Sequence, residues 1–183
     1  MLPESMDPIP THVPAEYRIR LADSSWERHE YLRLRRDVFC KEQRLFRGND
    51  RDIHDTAAVP IVALACIAGI GERVVGAVRI HQSAPQIWVG SRLCVARDSR
   101  RLAFLSWGLI RLAVTTAHAR GCQRFLAHVQ EQNVALFEKL NWRPLEPLLL
   151  HGRPHWRMEA DLAHYPPCNE GELRPMPLLR LAA

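Results

Sequence analysis

Arg100 and Arg101 stand between a strand-like run, Arg92, Leu93, Cys94 and Val95, and a long apolar stretch with helical spacing that stops at Gly121. A turn that opens a helix leaves N–H groups without partners, which favours an anion there. Guanidinium forks beside such a turn match phosphate oxygens, and the Ser106 hydroxyl is a further donor. A solvated polar helix start would show the same residues. His81 has the side chain of a general base near neutral pH, or of a structural histidine. Cys94 is a nucleophile or a small buried thiol. Asp50, Asp52, His54 and Asp55 form an acidic loop that could hold a cationic amine, with Asp55 orienting a base; the same residues also cap turns. Glu42 and Gln43 share that choice. His151 and His155 have no Cys or carboxylate at ligand spacing, so no metal centre is expected.

The elements around these groups follow from hydrophobic period. Residues 16–22 alternate polar and apolar, as a half-buried strand does. Ser24 and Glu27 form a capping box for a helix that packs through Tyr31, Leu34, Val38 and Phe39. Residues 59–70 are nearly continuously apolar and read as a buried strand. Gly71, Glu72 and Arg73 make a hairpin turn into a strand over residues 74–80, and residues 87–95 form the next strand. After Gly121 come a strand over residues 124–129 and a short helix opened by Asn133, for which an N-cap is a sufficient local role. Pro144 and Pro147 forbid its continuation, and residues 148–151 and 155–160 read as two closing strands. The order is βα, three antiparallel strands, then βαβα, an α/β class with a mixed sheet flanked by helices.

The 183 residues, 47% hydrophobic and 25% charged, suit one domain with a full core. Residues 1–14 carry four prolines and no apolar signal region, and are expected to be a disordered leader. Residues 163–183, rich in proline, are expected to be a loose tail. No apolar run is long enough to span a bilayer, so no membrane role is expected. Five scattered cysteines without a C-x-x-C pair fit a reducing compartment, hence a cytoplasmic location. The net charge of +5 is spread among acids rather than clustered with aromatics, which argues against nucleic acid.

Two stretches carry a resemblance. The run "RLCVARDSRRLAFLSWGLIRLAV" followed by "FLAHVQEQNVALFEKLNW" resembles the acyl-CoA-binding core of the GNAT N-acyltransferases. Asn133, Ala135, Phe137, Glu138, Lys139, Leu140 and Trp142 match in order and spacing. The pyrophosphate loop departs from the family pattern, since no glycine lies between Gly90 and Gly108. Counting back from Gly121 places Arg101 as the loop arginine, and counting forward from Val95 places Arg100. The first helix, "LRLRRDVFCKEQ", resembles a GNAT subset and the acyl-homoserine-lactone synthases.

The resemblance implies a GNAT fold over residues 15–162 and acyl transfer, foremost acetyl, from acetyl-CoA to a small-molecule amine in a ternary complex, without a metal. It implies cofactor contacts from Leu93, Val95, Arg100, Arg101, Ser106, Asn133, Phe137 and Lys139, and allows a homodimer. Backbone at Leu93, Cys94 and Val95 would polarise the thioester. Phe137 stands where many members carry a tyrosine acid, and phenylalanine has no proton to give. Two alternatives stay open: an acyl-homoserine-lactone-like synthase fed by an acyl-carrier protein, and a non-catalytic module that binds acyl-CoA or a partner.

Overall fold

The computed structural model describes Pro14, residues 16–173 and residues 176–177. The expected leader lies outside the described residues apart from Pro14. Eight strands make one mixed sheet: β1 (Glu16–Leu21), β2 (Val59–Ile67), β3 (Ile70–Ala84), β4 (Ile87–Val95), β5 (Arg124–Gln130), β6 (Trp142–Leu150), β7 (Arg153–Ala160) and the two-residue β8 (Met176–Pro177). Their spatial order is β6-β7-β5-β4-β3-β2-β1-β8. Among the described residues only β4 and β5 run parallel, joined by a crossover through α2 (Ala103–Ala119). The helices α1 (Ser25–Arg36) and α3 (Val134–Lys139) complete the framework.

Each helix forms where its sequence says it should. Ser24 Oγ accepts from the Glu27 N–H at 3.1 Å, and Glu27 Oε2 accepts from the Ser24 N–H at 2.9 Å, closing the capping box of α1. The helix then widens into a π turn over Asp37–Glu42, a distortion often found beside functional sites. α2 stops at Gly121, whose φ of +83° suits glycine.

The two faces of the sheet have separate cores. α2 and α3 cover one, where Ile19, Val75, Ile80, Leu105, Leu109, Leu112 and Phe125 are buried. α1 covers the other with Tyr31, Leu34, Val38 and Phe39, against Val62, Leu64, Val74 and Cys94.

Three expectations are corrected. The first hairpin turns at Ala68 and Gly69, with φ of +51° and +77°, and Ile67 pairs with Ile70. A two-residue turn with both φ positive matches strand twist better than one at Gly71–Arg73 would. β6 begins at Trp142 and carries Pro144 and Pro147, which an edge strand tolerates because one side of it needs no donors. The segment after residue 162 is not loose up to Leu173. Tyr165 is buried, its hydroxyl accepts from Trp142 Nε1 at 3.1 Å, and the Leu173 N–H donates to Ile19 O at 2.9 Å. An aromatic anchor and free backbone donors outweigh the prolines between them.

Gly108 is where α2 meets β1: a Cβ there would fall 2.3 Å from Ile19 Cδ1. Gly108→Val should therefore destabilise the protein by about 1–3 kcal/mol in urea unfolding, and Ile19→Ala in the same background should recover part of the loss. An unchanged midpoint for the single variant would mean that α2 lifts from the sheet freely.

Candidate active site

β4 and β5 pair only at their beginnings. Ile87 lies beside Arg124 and Gly90 beside Ala127, and there the ladder ends. β4 stays with β3 as far as Val95, while β5 stays with β7 as far as Gln130. Beyond Gly90 and Ala127 the two strands part, and backbone groups of residues 91–95 are left without a partner on β5. β4 also bulges. Between the pairs Arg79–Ser91 and Ala77–Cys94 it carries one residue more than β3, and Arg92 takes a φ of +58°.

A cavity of about 230 Å³ opens at the parting and passes through the sheet. On the α2 side Leu93, Ile110, Ala113, Phe125, Phe137 and Trp142 line it. On the α1 side Gln43, Phe46, Arg92, His128, Gln130 and His155 line it. One half is apolar and the other carries the polar side chains.

Beside the cavity lies a network of buried charge. Arg35 is fully buried and donates to Asp50 at 2.8 Å, Asp55 at 2.6 Å and Tyr31 Oη at 2.6 Å. Arg79 grips Asp52 through both terminal nitrogens at 2.8 and 2.6 Å, and lies 2.7 Å from Asp55. Arg92 donates to Asp50 at 3.0 Å and Asp52 at 3.1 Å, and its guanidinium stacks 4.6 Å from the Phe46 ring centre. Burial alone would raise the Asp55 carboxyl, but the bonds from Arg35 and Arg79 and the Asp52 N–H hold it well below the usual carboxylate range.

No family model and no curated protein matches the sequence. Solved structures do. The chain superposes on an acyl-CoA N-acyltransferase from Pseudomonas aeruginosa with a TM-score of 0.63 and 18% identity, over 79% of this chain and 98% of the other. For Escherichia coli ElaA the TM-score is 0.64 at 20% identity, over 80% and 99% of the two chains. For BjaI, a CoA-dependent acyl-homoserine lactone synthase solved with SAM and isopentyl-CoA, it is 0.61 at 23% identity, over 77% and 82%. The chain has the GNAT N-acyltransferase fold.

Within this GNAT fold the residues expected from the sequence scatter. Leu93, Asn133 and Phe137 line the cavity. Asn133 makes no side-chain cap to α3, so the capping role does not account for it. Arg101 is exposed at the turn into α2 and has no ion-pair partner among the described residues. No side chain caps the start of α2. Arg100 is committed elsewhere: it grips Glu42 at 2.6 and 2.8 Å and donates to Val95 O at 3.0 Å. It is a clamp between the π turn and the loop, which corrects its reading as a free phosphate ligand and occupies the Val95 carbonyl. Ser106 and Lys139 lie outside the cavity lining.

The three residues singled out for catalysis also need correction. Cys94 is buried in the α1-side core, which pushes its thiol up to about 12 and removes the thiolate a nucleophile needs. Asp55 is paired with two arginines and has no basicity to offer. His81 is buried on β3, stacked 4.2 Å from His54, and does not line the cavity.

His128 was missed. It alternates on β5 with buried Phe125, Ala127 and Val129 and so faces the α1 side, into the cavity. Partial desolvation, His155 and Arg157 together hold its pKa below the ordinary imidazole value. The period of two was the available signal. Arg79 also left one, standing within the apolar run of residues 74–80, and so did Arg35, which falls four residues from both buried Tyr31 and buried Phe39.

Asp55 ties acid stability to the network. Its depressed carboxyl contributes stability above the unfolded value of about 3.9, lost as pH falls further. Asp55→Asn should be less stable by about 3 kcal/mol near pH 7, with the gap to the natural chain narrowing below about pH 4 in urea titrations. A gap independent of pH would show that folding does not depress the Asp55 carboxyl.

Proposed function

We propose that the chain is an N-acyltransferase that moves an acyl group, foremost acetyl, from coenzyme A to the amine of a small molecule. The observation that carries this reading is the parting of β4 from β5, which opens a cavity through the sheet with unpaired backbone on one wall. Acyl transfer asks for little else from side chains. The thioester and the amine must be held in line, and N–H groups must face the carbonyl oxygen.

Several residues fit such a donor. The uncapped start of α2 and the exposed Arg101 offer an anion site, and Asn133 offers an amide along the cavity wall. The apolar half beneath α2 suits an acyl group. Phe137 packs edge-on to Trp142, with ring centres 5.0 Å apart, and forms wall rather than acid. The amine then approaches from the α1 side. Its nitrogen forms the C–N bond as the C–S bond breaks, His128 takes the amine proton, and the thiolate leaves towards solvent. A coenzyme A thiol is acidic enough to leave without a protein acid.

A second reading has one observation in its favour. Arg100 is held by Glu42 and the loop has no glycine, which leaves Arg101 alone for the pyrophosphate. A synthase fed by an acyl-carrier protein would need less of that site.

Calorimetric titration with acetyl-CoA and dephospho-CoA separates the two. Arg101→Ala should weaken acetyl-CoA binding by about 1.5–3 kcal/mol, and unchanged affinity would favour the carrier-fed alternative. In turnover, with the acceptor expressed as its free-amine concentration, kcat/KM should decline only below the ordinary imidazole range, because the His128 pKa is depressed. His128→Gln should lower kcat by about 100-fold and abolish that limb; a preserved pH profile would assign the base elsewhere.

A further inference from the structure

The charges around the cavity say what kind of amine it takes. Asp50, Asp52 and Asp55 suggest a cation site in the sequence, but the fold spends all three on arginines. No Asp or Glu lines the cavity among the described residues, and Arg92 is the one lining residue with a formal charge. A polyamine or other polycation would therefore meet a guanidinium and no carboxylate.

Arg92 is also the least satisfied of the three arginines. Arg35 and Arg79 each have Nε, Nη1 and Nη2 engaged with oxygen acceptors. Arg92 donates through Nε and Nη2 to Asp50 and Asp52, while its Nη1 has no partner among the described residues. Burial and the nearby Arg79 weigh against the Arg92 cation more than Asp50 and Asp52 favour it, whereas the carboxylates leave Arg35 and Arg79 more firmly charged. The Phe46 ring and the two aspartates hold the Arg92 guanidinium in place on the α1 side. Phe39, Leu45, Phe46 and Leu150 supply apolar lining on that side of the cavity.

We propose that the acceptor is an amine that bears its own carboxylate, in the manner of an α-amino acid with an apolar side chain, and that Arg92 receives the carboxylate through its unpartnered edge. The inference rests on the acyl-transfer reading. The carboxylate docks on β4, the apolar side chain lies against Phe46 and Leu150, and the amine is left for the His128 side of the cavity.

The test is a matched panel. Free leucine, phenylalanine and methionine are compared with their carboxamides, as acceptors of acetyl-CoA and of longer acyl-CoA donors and, by calorimetry, as ligands of the CoA-saturated protein. The free acids should be preferred by about 10- to 100-fold, mainly through KM or Kd. Such a preference cannot come from amine basicity, because the amide has the larger fraction of free amine at neutral pH. Arg92→Gln should bring the acid-to-amide ratio near one, and Arg92→Lys should restore part of it. The ratio is taken within each variant, so a smaller folded fraction cancels. CoA binding without preference for the acids, in turnover or in affinity, would overturn the inference and leave acyl transfer standing. Failure of CoA itself to bind would remove the reading beneath it.

Discussion

Three guanidinium groups lie buried or nearly so between the sheet and the loop that follows α1, and three carboxylates must reach them. A buried charge left unpaired carries a penalty of several kcal/mol, so Arg35, Arg79 and Arg92 dictate where Asp50, Asp52 and Asp55 go. That requirement draws the loop across the open end of β3 and β4. It seats Phe46 under the Arg92 guanidinium and stabilises Arg92 in the left-handed backbone region, where a non-glycine residue would otherwise be strained. The bulge in β4, the α1 wall of the cavity and the π turn beside it all adjoin this balance of charge.

The parting of β4 from β5 is a second feature, separate from that balance of charge. Each strand is claimed by another neighbour, β3 on one side and β7 on the other, and their shared ladder ends at Gly90 and Ala127. The gap admits side chains from both cores. Its α2 side inherits the apolar character of the larger core, and its α1 side inherits histidines, glutamines and Arg92. Such a division supports a reading in which an acyl donor and an amine approach one point from opposite faces, with backbone and position contributing more than any reactive side chain. The burial of Cys94 and the pairing of Asp55 are consistent with that economy.

Local patterns were legible wherever short-range physics controls them. The capping box at Ser24, the glycine stop at Gly121, the alternating strands and the βαβ order all appear as read. What failed depended on partners far apart in the chain. The acidic loop looked open to a cationic amine because its arginines come from α1, β3 and β4, and Arg100 looked free because Glu42 lies 58 residues before it. The tail looked loose because its anchors, Trp142 and Ile19, are remote in sequence.

The sequence by itself determined the order of elements, the two apolar faces and the resemblance to the GNAT core, because period, capping and turn chemistry act over a few residues. Only the tertiary structure decided which ionic groups remain available. It withdrew Asp55, Arg100 and Cys94 from chemistry and left Arg92, Arg101 and His128 facing the cavity or solvent. Whether a charge is paired depends on distances in space, and sequence spacing does not contain them.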